Sequence, residues 1–229
     1  MGFDRVSFIG LGDLRIAYRT AGEPDAPTIV LLHALTATGA DWEPVVDALA
    51  RSHRVIAPDA RGHGHSDWAT SYSLGLFRDD VLGLIEALAL DQLTLIGHSF
   101  GGTIAAMIAE TGSSRLARLI IEDATVPRRA DPSQRRKTDE PPGVDPALVG
   151  ALGAQLAAPD PAWWDDLAGI DVPTLVIAGG PESHIPQDGL AELANRVPGG
   201  RLVTIPAGHR IHTNRPVEFA AAVRAFLGE

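Results

Sequence analysis

The sequence predicts an α/β fold built on a doubly wound, mostly parallel sheet, with a short cap insertion. Three observations carry that expectation. Short β-rich runs alternate with longer helical patterns, several of the β-rich runs are apolar throughout, and 45% of the 229 residues are hydrophobic, enough for one well-buried core. A strand covered by helices on both faces must be apolar on both faces, so continuous apolar runs point to a parallel sheet rather than a half-exposed one.

The elements follow in order along the chain. "DLRIAYRTAG" begins the series, its Leu14, Ile16 and Tyr18 alternating with polar or small residues as in a half-exposed strand. Strands are then expected in "TIVLLH" (Thr28 to His33), "HRVIAPDA" (His53 to Ala60), "LTLIGH" (Leu93 to His98) and "LARLIIEDA" (Leu116 to Ala124). "PTLVIAGG" (Pro173 to Gly180) and "RLVTIP" (Arg201 to Pro206) complete them. Helices fill the intervals: Phe77, Val81, Leu84, Ile85 and Leu88 recur at three- and four-residue steps, as do Phe219, Val223, Phe226 and Leu227 near the end.

One segment, from about residue 125 to 167, breaks the rhythm. Its first part is rich in proline and charge and can bury little apolar surface, while "ALVGALGAQLAA" reads as a helix able to lie over something. It is expected to be a cap insertion in a single domain spanning residues 1–229. Its basic cluster, Arg128, Arg129, Arg135, Arg136 and Lys137, reads as a solvated loop.

Charge and composition remove several function classes. A formal net charge of −10 repels a phosphate backbone, so nucleic acid is not an expected partner. With no cysteine, disulfides, thiolate zinc sites and cysteine nucleophiles are absent together, which fits a reducing compartment and a cytoplasmic location. The first ten residues lack the basic-then-apolar pattern of a secretory signal, and no apolar run approaches a bilayer span. A small-molecule substrate is expected, with no membrane and no cofactor; oligomeric state is open.

The chemistry concentrates at Gly97, His98, Ser99, Phe100 and Gly101, where a strand passes directly into a helix. Ligands of a parallel sheet gather at the carboxyl ends of its strands, which is where Ser99 falls. A serine hydroxyl becomes a useful nucleophile when a strained turn exposes it and a base is near. Glycines on either side remove side chains that would collide in such a turn, and the following helix aims its first N–H groups at the site, where they favour an oxyanion.

Taken with three further stretches, this elbow resembles the α/β-hydrolase family over nearly the whole chain. "LLHALTATGADW" is similar to the family's early oxyanion loop, "PDARGHGHSD" to its Asp-x-Arg-Gly-His-Gly-x-Ser turn, and "GHRIHTNRP" to its terminal histidine loop. The resemblance implies the order serine, acid, histidine. It places the base at His209 in the Gly-His register and gives His212 a supporting role. Two carboxylates at suitable strand ends compete as the acid: Glu182, where the family most often has an aspartate, and Asp123, at the end of the preceding strand; the reading leans to Asp123 and retains both. His98 is expected beside the nucleophile, with His33 and His53 structural.

The oxyanion donors implied are the backbone N–H groups of Phe100 and Leu35, although Ala34 stands where the family commonly has glycine. Trp163 and Trp164, with Phe100 and Leu35, are expected to line the substrate pocket. "HGHSDW" contains a His-x-His-x-Asp pattern that begins like a metal motif, but it falls inside the family turn and no metal is expected. The implied function is a serine hydrolase cleaving a carboxylic ester, thioester or lactone through an acyl-enzyme. Perhydrolase, carbon–carbon hydrolase or lyase chemistry on the same residues, and a non-catalytic ligand-binding fold, are the alternatives.

Overall fold

The runs that are apolar on both faces lie at the centre of an eight-stranded sheet. The computed structural model describes residues 2–124, 143–157 and 162–229. Its strands are β1 (Val6–Leu11), β2 (Leu14–Ala21), β3 (Thr28–Leu32), β4 (Arg54–Pro58), β5 (Leu93–His98), β6 (Leu116–Glu122), β7 (Thr174–Ala178) and β8 (Arg201–Thr204). They run in the order β1-β2-β4-β3-β5-β6-β7-β8. β1 and β2 join the rest antiparallel, and every other pairing is parallel.

Successive strand residues point to opposite faces, and the core divides accordingly. Val30, Leu95, Leu119, Ile121 and Val176 face one apolar cluster; Ile29, Leu31, Ile96, Ile120, Leu175 and Ile177 face the other. The first face is covered by α2 (Leu74–Ala87), α3 (Phe100–Ala109), α4 (Pro146–Ala157) and α6 (Gln187–Arg196). The second is covered by α1 (Glu43–Leu49) and α8 (Pro216–Leu227). Two short helices, α5 (Trp163–Asp166) and α7 (Ile211–Asn214), complete the set among the described residues. Each fully buried Leu, Ile or Phe in these layers stabilises by about 1.5–3 kcal/mol relative to exposure. None of the described helices is long and apolar enough to cross a membrane.

Three details differ from, or extend, the sequence reading. β1 was not expected; it is an edge strand with Phe8 half exposed, so its own burial pattern is weak, and it forms through the hairpin at Gly12 and Asp13. The helix expected in "ALVGALGAQLAA" is present as α4, and the chain leading into it is tied to the core. Gly64 N–H donates to the Gly143 carbonyl, Asp145 N–H to that of Gly62, and the Tyr72 hydroxyl to Asp145 at 2.5 Å. The basic cluster Arg128, Arg129, Arg135, Arg136 and Lys137 lies outside the described residues.

The strand order positions the site. From β3 the chain winds outward to β4, then crosses back to β5 on the other side and continues through β6, β7 and β8. The crevice at such a reversal opens outside the carboxyl ends of β3 and β5, which are the ends that lead into Leu35 and Ser99.

Candidate active site

Ser99 occupies a backbone conformation that few non-glycine residues adopt, with φ 53° and ψ −116°. Such strain costs about 1–3 kcal/mol and persists only where the surroundings impose it. Here the imposition is visible. A Cβ on Gly97 would sit 2.2 Å from the Gly101 carbonyl oxygen, and one on Gly101 would sit 2.3 Å from that of Leu32. Glycine at both positions lets α3 start hard against β3 and β5, with Ser99 at the helix N-terminus. Unpaired N–H groups there favour a developing negative charge.

Asp123 is a second residue with positive φ, at 40°. It follows β6 directly, its N–H still pairs with Ile177 of β7, and its side chain is fully buried. Four donors converge on its carboxylate: Gly179 N–H at 2.9 Å and Gln187 Nε2 at 3.2 Å on Oδ1, with the Ser183 hydroxyl and His209 Nδ1, at 2.8 Å, on Oδ2. Burial pushes the carboxyl up, but the bonds from His209, Ser183, Gly179 and Gln187 outweigh it and hold Asp123 below the usual carboxylate range. An ionised aspartate so placed fixes the ring of His209, orients Nδ1–H inward and stabilises an imidazolium.

Glu182, the competing acid, lies exposed on the loop after β7 and makes no hydrogen bond or ion pair with the described residues. The structure therefore brings Asp123 to His209 and leaves Glu182 outside. The loop contributes other groups instead: Ser183 and Gln187 on Asp123, and His184, whose ring centroid is 4.2 Å from that of His209. Sequence reasoning missed all three. The signal was present as a polar run, "PESHIPQ", between a buried strand and its helix.

His98 lies beside the nucleophile, as its place in the elbow implied. Its ring is 4.7 Å from that of His209, and its Nε2 donates to the His209 carbonyl at 2.8 Å. Burial drives its pKa down to about 4, so it packs as a neutral ring. His33 and His63 hold the loop after β3. His33 Nδ1 donates to the Ala34 carbonyl at 2.7 Å while Nε2 accepts the Ala60 N–H at 2.9 Å, and His63 Nε2 bonds the Leu35 carbonyl. Two carbonyls of the loop are thereby anchored, which directs its remaining N–H groups. The rest of the His-x-His-x-Asp pattern disperses: His65 is exposed near Asp59, and Asp67 pairs with Arg15.

The tryptophans fall elsewhere. Trp163 is buried in the core, and Trp164 lies under the Arg196 guanidinium of α6. The next residues, Asp165 and Asp166, share a hollow with Glu110 and Thr111 at the carboxyl end of α3. A helix of that length separates this end from Ser99 by about 15 Å. The expectation that Trp163 and Trp164 line the pocket is corrected accordingly: nothing in an unplaced segment tells the sequence which end of α3 it passes. Phe100 is itself buried and meets Phe77 edge-on at 5.0 Å, while Leu35 is partly exposed.

Comparison with known proteins agrees with this architecture. A family model described as the alpha/beta hydrolase fold matches residues 27–140. The AB hydrolase superfamily protein YfhM of Bacillus subtilis is 36% identical over 123 residues, covering 51% of this chain and 42% of that protein. A 3-hydroxybutyrate-oligomer hydrolase of Cupriavidus necator is 31% identical over 149 residues, covering 63% of this chain and 45% of that protein. The aligned stretch thus spans less than half the length of either relative. Among solved structures, the enol-lactonase from Burkholderia xenovorans LB400 superposes with a TM-score of 0.81 at 26% identity, over 97% of this chain and 100% of that one.

Proposed function

The chain belongs to the α/β-hydrolase superfamily, and on that premise we propose that it is a serine hydrolase acting on a carboxylic ester, thioester or lactone. The observation that carries the reading is the buried Asp123 carboxylate held 2.8 Å from His209 Nδ1, in a chain whose Ser99 takes a strained conformation at a helix N-terminus. In the first step His209 takes the Ser99 proton at Nε2 as Oγ attacks the carbonyl carbon. The oxyanion that forms is received by the N–H groups of Phe100 and Leu35. The leaving oxygen or sulfur departs with the proton from His209, and an acyl-serine remains. Water, deprotonated by the same imidazole, then releases the acid and restores the serine.

Two features support carbonyl chemistry over a vestigial site. Each residue of the sequence serine, acid and histidine has a partner or strain that a spent site has no reason to keep, and the structural neighbour named as an enol-lactonase matches along its whole length. The test is presteady-state hydrolysis of p-nitrophenyl acetate. A rapid release of nitrophenol approaching one equivalent per chain, followed by slower turnover, is expected of acyl-serine accumulation. Release no faster than that of Ser99→Ala counts against the reading.

A further inference from the structure

Behind the Asp123–His209 pair sits a second histidine held by carboxylates. The side chains of Glu122 and His212 have no exposed surface, and His212 Nδ1 lies 2.9 and 2.8 Å from the two Glu122 oxygens. Glu122 also accepts the His212 backbone N–H at 2.8 Å. On the other side of the ring, Nε2 is 3.2 Å from Asp41 Oδ2, and Asp41 is ion-paired with Arg210. Trp42 packs across the imidazole at 4.2 Å between centroids.

Two carboxylates facing the two nitrogens of one ring call for two N–H groups, and a neutral imidazole has only one. Burial by itself strips the charge from such a ring. Here Glu122 and Asp41 outweigh burial and push His212 up to about 9. The charged groups facing the ring are Glu122 from β6 and Asp41 from the turn before α1, with Arg210 behind Asp41. His98 from β5 lies 4.9 Å away, ring to ring, and is neutral, so it does not compete for the proton.

A sealed ion cluster is weak as a source of net stability, because desolvation offsets most of the attraction, and a different use is indicated. The connectivity supplies one. Glu122 adjoins Asp123, and His212 follows His209 by three residues, so the two pairs link the same strand end to one short stretch, the loop at His209 and the helix α7 that it enters. A shift between Glu122 and His212 is a shift between Asp123 and His209. We propose that Glu122, His212 and Asp41 form a buried charge clamp that positions the His209 loop, with His212 a positioning residue for proton transfer at Ser99. This rests on the reading of His209 as the base.

A cation is the competing occupant, since ligand atoms of Asp41, His98 and His212 lie within 4.8 Å of one another. The two occupants differ in protonation: the clamp has a doubly protonated His212 with no lone pair to offer, whereas a bound cation requires a deprotonated ring nitrogen.

The test compares p-nitrophenyl acetate turnover against pH, blank-subtracted, for the wild type, His212→Gln, Glu122→Gln and His209→Ala, with thermal melts to confirm folding. Wild-type kcat is expected to fall above about pH 9 as His212 gives up its proton. His212→Gln lowers kcat on the order of tenfold, as loss of a charge-assisted bond does, leaves KM within about twofold and abolishes the alkaline limb. Glu122→Gln moves that limb down by about one pH unit or more. A folded His212→Gln with wild-type kcat and an unchanged limb overturns the clamp, and so does one tightly bound zinc per chain. Activity surviving in His209→Ala overturns the underlying reading instead, which separates the two failures. If neither clamp variant folds, the wild-type ¹⁵N imidazole spectrum decides. Both His212 nitrogens protonated at neutral pH supports the clamp, and one protonated nitrogen overturns it.

Discussion

Two histidine–carboxylate pairs join the end of β6 to the loop and short helix α7 that follow β8, and they differ in exposure and in what faces the second ring nitrogen. His209, paired with Asp123, keeps 19% of its side-chain surface exposed. His212, paired with Glu122, keeps 0%. An imidazole with an open edge can exchange a proton with a bound molecule, whereas a sealed one with acceptors at both nitrogens can only hold charge. Near-identical local chemistry therefore yields a candidate base in one place and an anchor in the other.

Substitution at the histidines separates the pairs most sharply. His209→Ala is expected to lower kcat/KM by about 10⁶, the scale set by removing one member of a triad that acts as a unit, against the roughly tenfold loss expected at His212. Comparable losses at the two positions would erase the distinction. The acids come next: Asp123→Asn, which presents the wrong tautomer of His209, should cost on the order of 10⁴ in kcat.

The pairs should also fail at opposite ends of the pH scale. Asp123 is held below its ordinary 3.8, so its contribution to stability is complete above that value and lost as pH falls through the lowered one. His212 is raised from 6.5 to about 9, so its contribution is complete below 6.5 and lost as pH rises through about 9. Melting temperature measured against pH should therefore flatten on the acid side in Asp123→Asn and on the alkaline side in His212→Gln. Asp59, lowered as well by bonds from His65, Arg19 and Gly39 that overcome its burial, leaves part of the acid slope in place. The smallest effect is expected at Glu182→Gln, within about twofold in kcat, since the exposed carboxylate touches neither pair.

The sequence carried the first pair further than the second. Ser99 drew attention as a serine in a glycine-flanked elbow where a strand passes into a helix, whereas His209 was singled out through the resemblance of its Gly-His loop to the family's. The choice between Asp123 and Glu182 was not legible, since both follow apolar strands and spacing along the chain is silent on which strand end lies under the histidine. What separates them is the register of β6 on β7 and a left-handed turn at Asp123. Glu122 left a trace, an ionisable residue closing the apolar run "LIIE", yet its partner lies 90 residues away and only folding joins them. β1 was hidden for a related reason: an edge strand with a half-exposed face has little pattern of its own until its hairpin closes.

The most direct test of the serine itself is intact mass after treatment with a fluorophosphonate, comparing the wild type with Ser99→Ala. One adduct on the wild type and none on the variant is the result expected of a nucleophile activated by His209. An unlabelled wild type that melts cooperatively, or equal labelling of both proteins, would contradict it.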